Sequence, residues 1–166
     1  MDLLEVSSST WIQVRGDVLH IEKASFPSSL ADSEEHLRKI VDSPTGIFFV
    51  LSLRSSKKVE GYAAADLLEC FSDIPGINTD AHFGQKDTVY VDSIAVLPSL
   101  TGRGFGMRLL RQCLEIAFRR GIRRATAHVQ SGSESRMKLS MNVLGCFPNW
   151  YGTGRTFDYI EIQLGP

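Results

Sequence analysis

The sequence predicts an α/β fold in a single domain spanning 1–166, and three observations carry that expectation. Strong β-runs alternate with helical periodicity through the second half, from TVYVDSIAV at 88–96 to FDYIEIQL at 157–164. Two earlier β-runs, 47–53 and 59–67, are joined only by the polar stretch RSSKK, which asks for an antiparallel hairpin. A length of 166 residues, 43% hydrophobic and 22% charged, suits one globular domain, and no repeat or Pro/Gly/Ser linker divides it.

Taken in order, Trp11, Val14, Val18, Ile21 and Ala24 recur at steps of three and four, so a helix runs from about Thr10 to Ser25 and closes before Pro27. Asp32 with Glu35 resembles a capping box for a second helix that buries Leu37, Ile40 and Val41. The stretch from Glu69 to Asp87, with Pro75, Gly76, Asn78 and Gly84, reads as a long loop. Met107, Leu110, Cys113, Leu114, Ala117 and Phe118 mark a long helix ending at Gly121, whose basic end, Arg119 and Arg120, complements the macrodipole. RATAHVQ at 124–130 follows as a strand, then a short helix around Ser135 to Leu144 ending at Gly145, then the β-runs CFPNWY and FDYIEIQL.

A net charge of -1 lacks the basic footprint of a nucleic-acid or polybasic membrane binder. No apolar run reaches the ~18 residues that span a bilayer, and the first stretch lacks a signal-peptide pattern, so a cytoplasmic protein with no membrane partner is expected. Cys70, Cys113 and Cys146 show no metal-ligand spacing and read as buried apolar thiols, with no metal site. The charge is uneven: residues 1–99 carry 15 acids against 8 bases, residues 100–166 carry 4 against 10. The C-terminal third therefore favours an anion.

The chemistry concentrates in VDSIAVLPSLTGRGFGMRLL, where a strand ends, Gly102, Gly104 and Gly106 alternate with Arg103 and Phe105, and a helix begins at once. Such glycines let main-chain N–H groups close around an anion at a helix N-terminus, which makes a phosphate cradle. A P-loop does not fit because no Gly-Lys-Ser/Thr follows. A dinucleotide fingerprint fails because Leu109 holds the third glycine place and no acid lies about 20 residues on.

The order of elements and this loop resemble the GNAT superfamily of acyl-CoA N-acyltransferases, whose signature is Gln or Arg, two residues, Gly, one residue, then Gly or Ala. Gly104 and Gly106 fill the glycine places, while Thr101 stands where Gln or Arg is usual. The resemblance is specific between Tyr90 and Gly121. It implies a mixed, mostly antiparallel sheet of six to seven strands with about four helices on both faces. It also implies acetyl-CoA as acyl donor, its pyrophosphate on the amides of Arg103, Gly104, Phe105, Gly106 and Met107. Its pantetheine would follow the main chain of Ile94, Ala95 and Val96, and Arg103, Arg108, Arg136 and Lys138 would face its phosphates.

An alkylammonium acceptor must lose a proton before it attacks. Asp92, two residues before Ile94 on one side of an apolar strand, is the expected base, with Tyr90 and Glu69 as reserves for proton relay or amine binding. Many family members protonate the leaving thiolate with the tyrosine of a Tyr-x-x-Leu-Gly-Phe motif. Here Met141 holds that place ahead of Leu144 and Gly145, leaving Tyr151, Ser140, Ser135 or solvent. Ser135 also matches a position that contacts the pantetheine, and it equally suits a helix N-cap. His128 reads as a core or cleft histidine, and His20, His36 and His82 show no usable pairing.

The acidic first 99 residues, including Asp32, Glu34, Glu35 and Asp73, favour a cationic amine acceptor. The implied activity is acetyl transfer to a primary amine of a small molecule or peptide through a ternary complex. A non-catalytic acyl-CoA sensor is the alternative, and a homodimer is compatible by analogy alone.

Overall fold

The computed structural model describes residues 1–53, 58–133, 137 and 139–165. Strands β1 (Asp2–Glu5), β2 (Ile47–Ser52), β3 (Val59–Leu67), β4 (Thr88–Val96), β5 (Arg124–Gln130), β6 (Asn142–Phe147) and β7 (Phe157–Gln163) accompany helices α1 (Trp11–Ser25), α2 (Glu34–Asp42) and α3 (Phe105–Arg119). Hydrogen-bonded neighbours give one mixed sheet in the order β1-β2-β3-β4-β5-β7-β6. β4 pairs with β5 in parallel, Thr88–Tyr90 against Arg124–Thr126. The pairs β1–β2, β2–β3, β5–β7 and β6–β7 are antiparallel. Among the described residues, no helix is long and apolar enough to cross a membrane.

The chain forms two compact units, residues 1–65 with 93–113, and 66–92 with 114–166. In the first, β2 is buried from Ile47 to Leu51, and Ala63, Ala64 and Ala65 of β3 are fully buried beside it in the sheet. Trp11 of α1 meets Phe48 edge-on at 5.6 Å, and Phe48 stacks on Tyr62 at 5.5 Å. Gly61 is required by close approach: a Cβ there would lie 3.0 Å from the Ala95 carbonyl and 3.3 Å from Leu109 Cδ1. The absent side chain lets β3, the end of β4 and the first half of α3 pack together.

The second unit is organised by charge and aromatic rings. Arg124, at the start of β5, donates to Asp80 at 2.9 and 3.1 Å and to Glu161 of β7 at 2.8 Å. Tyr159 adds a 2.7 Å hydrogen bond to Asp80. Burial opposes both charges, yet these bonds hold the Asp80 carboxyl below the usual carboxylate range and raise the proton affinity of Arg124.

Several expectations are corrected. Ser33, not Asp32, caps α2, its Oγ accepting the His36 N–H at 3.1 Å. Residues 142–144, expected at the end of a helix, are in β6, because Val143 and Gly145 pair with Ile160 and Tyr159 in a shifted register. Trp150–Gly152 is a 3-10 turn rather than strand. The helix count stands, since three α-helices among the described residues agree with the expected number of about four. Only Cys113 is buried, and Cys70 and Cys146 are exposed free thiols. Sequence inspection also missed β1, a four-residue edge strand of mostly exposed residues.

Candidate active site

β4 fixes the first part of the site by its alternation. Ser93 and Ala95 are buried, while Asp92, Ile94 and Val96 stand half-buried on the other side, as their two-residue spacing predicts. The strand stops where Leu97 N–H donates to the Glu60 carbonyl at 2.9 Å, and a 3-10 turn, Pro98–Leu100, redirects the chain. The Ser25 hydroxyl at the end of α1 donates to the Val96 carbonyl at 3.3 Å.

The glycine loop adopts a left-handed backbone at two of its glycines. Gly102 and Gly104 have φ of 81° and 80°, and a Cβ at either would meet nothing within 4 Å. Left-handed backbone, rather than lack of room, is the reason for glycine at both positions. α3 begins at Phe105, and Arg108 N–H donates to the Gly104 carbonyl at 3.1 Å. The N–H groups of Phe105, Gly106 and Met107 therefore have no carbonyl one turn back, and they share the positive end of the helix dipole. A Cβ on Gly106 would lie 4.0 Å from Ile94 Cγ2, so the start of α3 sits against the half-buried side of β4. Arg103, Gly104 and Arg108 are exposed. This donor set fits a pyrophosphate.

A polar chain lies behind that segment and was not foreseen. Glu22 of α1, Tyr62 of β3 and Ser93 of β4 are 1%, 0% and 6% exposed. The Tyr62 hydroxyl donates to Glu22 Oε2 and lies 2.8 Å from Ser93 Oγ, and Asp32 N–H donates to Glu22 Oε1 at 2.7 Å. Burial and the Glu22 carboxylate push the Tyr62 phenol well above its usual range. One signal was available in the sequence: Glu22 falls four residues after Val18 on the apolar stripe of α1, where a carboxylate is out of place.

In the second unit, Tyr90 is buried and its hydroxyl lies 3.0 Å from His128 Nδ1. His128 stacks on Trp150 at 4.3 Å and on Tyr159 at 4.7 Å. Burial lowers its pKa to about 4 against the opposing pull of the Pro75 carbonyl, so the ring is neutral near pH 7. Glu69 Oε1 accepts the N–H groups of Gly84 and Lys86, both at 2.8 Å. Its Oε2 is buried with no hydrogen-bond partner among the described residues.

Tyr151 is 52% exposed, packs against Trp150 at 4.8 Å and has a left-handed φ of 45°. Its turn is tied by Trp150 N–H to the Arg155 carbonyl at 2.8 Å and by Gly154 N–H to Asn149 Oδ1 at 2.9 Å. Two histidines for which the sequence shows no usable pairing stand beside carboxylates, His82 with Asp87 at 2.9 Å and His36 with Asp32 at 3.8 Å. Ser135, Arg136 and Lys138 lie outside the described residues, and Met141 precedes β6.

A family model described as the Acetyltransferase (GNAT) family matches residues 16–140. Comparison with curated protein sequences finds no match. Among solved structures, the chain is similar to the ribosomal-protein-S18-alanine N-acetyltransferase from Escherichia coli, with a TM-score of 0.71 and 14% identity over 99% of this chain and 94% of that one. It is also similar to an aminoglycoside 6'-acetyltransferase type Ii, at TM-score 0.72 and 16% identity, covering 100% and 99%. A third is an IAA acetyltransferase from Bacillus cereus, at TM-score 0.64 and 16% identity, covering 98% and 99%. At these identities the likeness carries the fold.

Proposed function

The chain belongs to the acetyltransferase (GNAT) family, and on that premise we propose that it moves an acetyl group from acetyl-CoA to a primary amine in a direct ternary complex. The family match runs through residues of both compact units, which supports reading 1–166 as one catalytic domain. One observation carries the proposal: the left-handed turn at Gly102 and Gly104 delivers β4 into the open N-terminus of α3.

In this reading the amides of Arg103 to Met107 hold the donor pyrophosphate, and the main chain of Ile94 to Val96 holds the pantetheine arm. An N–H at Ala95 or Val96 polarises the thioester carbonyl as charge develops on its oxygen. The amine nitrogen bonds to that carbon, the carbon–sulfur bond breaks, and the acetylated amine and free thiol leave. Asp92 takes the proton that an ammonium acceptor must lose. Tyr90 acts through His128 as a relay, since its buried hydroxyl cannot meet an acceptor directly. Tyr151, exposed in its tied turn, takes the place of the missing motif tyrosine as proton donor to the thiolate, and it is reprotonated as the newly bonded nitrogen gives up its second proton through solvent.

Two of the solved structures are named for amine acceptors, a protein alanine and an aminoglycoside, which supports an amine here. The acidic first 99 residues favour a cationic one. Thr101 and Met141 in place of the usual side chains favour a second reading, an acyl-CoA sensor without turnover.

Thermal unfolding with acetyl-CoA, CoA, ATP and NAD, followed by thiol release with a panel of amines, tests both readings. At ~100 times its dissociation constant a ligand adds about 2.7 kcal/mol, or roughly 5 to 11 °C. A shift selective for acetyl-CoA and CoA with amine-dependent thiol release is expected. A shift without release identifies the sensor, and no shift overturns both.

A further inference from the structure

Among the described residues of the first unit, Glu22 is the buried carboxylate that the transfer reaction leaves unused. A carboxylate taken out of water is costly to keep unless its oxygens are met, and an apolar side chain would pack naturally beside Val18 and Ile21 on this face of α1. What the carboxylate holds is therefore informative. Its Oε1 takes the Asp32 N–H at 2.7 Å, and its Oε2 takes the Tyr62 hydroxyl, which in turn meets Ser93 Oγ at 2.8 Å.

Residues 27–33 connect α1 to α2 and carry little other structure. Leu30 and Ala31 N–H both donate to the Pro27 carbonyl at 2.9 Å, and Ser33 caps α2. The Glu22 bond to Asp32 falls between that turn and the cap, so it sets where α2 begins. The other end of the chain, Ser93, directly precedes the Ile94–Val96 segment assigned to the donor. The Asp32 carboxylate itself remains 25% exposed, with His36 at 3.8 Å.

We infer that Glu22 is a positioning residue which, through the Asp32 N–H on one side and Tyr62 and Ser93 on the other, fixes the α1–α2 connection as an acceptor wall against the donor-binding end of β4. This rests on the acetyl-transfer reading above. The wall presents the Asp32 carboxylate to the ammonium group of the acceptor, and Glu22 acts without touching either substrate.

The test compares Glu22→Leu, Glu22→Gln and Tyr62→Phe with the wild type by thiol release from acetyl-CoA. The amines are spermidine, tyramine, an aminoglycoside and an alanine-initiated peptide, and the CoA thermal shift is read alongside. Glu22→Leu is expected to raise the acceptor KM about tenfold, the weight of an ordinary hydrogen bond, with the acetyl-CoA KM and the CoA shift unchanged. Glu22→Gln is expected to restore most of the affinity, because its amide oxygen can still accept the Asp32 N–H and its amide nitrogen can meet Tyr62.

Tyr62→Phe, which removes a hydroxyl and almost no volume, keeps the question answerable if the leucine variant does not fold. It should raise the acceptor KM by a smaller factor. An unchanged acceptor KM in the variants that fold overturns the inference, as does an equal rise in both KM values, which would mean general loosening. A wild-type chain that neither shifts with CoA nor releases thiol overturns the acetyl-transfer reading instead, and this inference with it.

Discussion

Arg124 in the second unit and Glu22 in the first are both buried charges, yet their surroundings meet them differently. Arg124 is clasped by two carboxylates and pulls β5, β7 and the loop at Asp80 together. Glu22 receives a phenol and a main-chain amide, and what it fixes is a connection rather than the sheet. Ion pairing cancels the field of each partner and makes stability depend on the pair remaining complete. Hydrogen bonds from neutral groups leave the carboxylate field in place, and it adds to burial in raising the proton affinity of Tyr62. One network braces a sheet; the other shapes a wall.

The strongest way to break this contrast is Arg124→Met, which would leave Asp80 buried with its charge uncompensated. A loss of about 3–5 kcal/mol in urea unfolding is expected, against a much smaller change for Glu22→Leu. Equal losses would mean that the two networks do the same job.

Next comes pH. His128 is held neutral in the folded chain with a pKa of about 4, below its unfolded value of 6.5. The unfolded chain therefore binds the proton first as pH falls. The contribution is complete above pH ~6.5 and is lost on acidification down to about 4, on the order of 3 kcal/mol. Urea unfolding across that window should show His128→Phe with a flatter slope than the wild type, and an unchanged slope would remove His128 as the cause.

Gly104→Val sharpens the comparison from the first unit. A β-branched residue at φ 80° is strained by about 1–3 kcal/mol, and the cradle amides move with it. Thermal unfolding should show a lower midpoint and no CoA-dependent shift, whereas a retained shift would place the donor elsewhere. The smallest effect is expected at Lys86, exposed with φ 56° in the second unit. Lys86→Gly keeps the N–H that meets Glu69 and should raise stability by about 0.5–1 kcal/mol in urea unfolding.

The readable parts of this fold were those with a period or a punctuation mark. β3, β4 and β5 fell on their expected residues, because each is a run of β-branched, aromatic or small apolar residues with clear ends. The glycine loop was legible because the left-handed backbone at Gly102 and Gly104 leaves few alternatives to glycine. β6 was misread because Asn142–Leu144 carries no strand alternation of its own and depends on pairing with β7. Glu22 betrays itself by its place on the apolar stripe of α1, but the partners within the two polar networks are not legible, for a related reason. Tyr62 lies 40 residues from Glu22 and 31 from Ser93, Arg124 lies 44 from Asp80 and 37 from Glu161, and only the folded chain makes them neighbours.

The exposed thiols bear on how acetyl transfer would be followed in practice. Cys70 has its pKa pushed up to about 11 by partial burial and the nearby Asp66 carboxylate, and Cys146 is raised by its hydrogen bond with Asp158. Near neutral pH both therefore stay almost wholly protonated, and the thiolate is the species that attacks a disulfide reagent. Colour from a chromogenic disulfide such as dithiobis(nitrobenzoate) is thus to be read as its amine-dependent part, over a background from the protein thiols that their raised proton affinity keeps low.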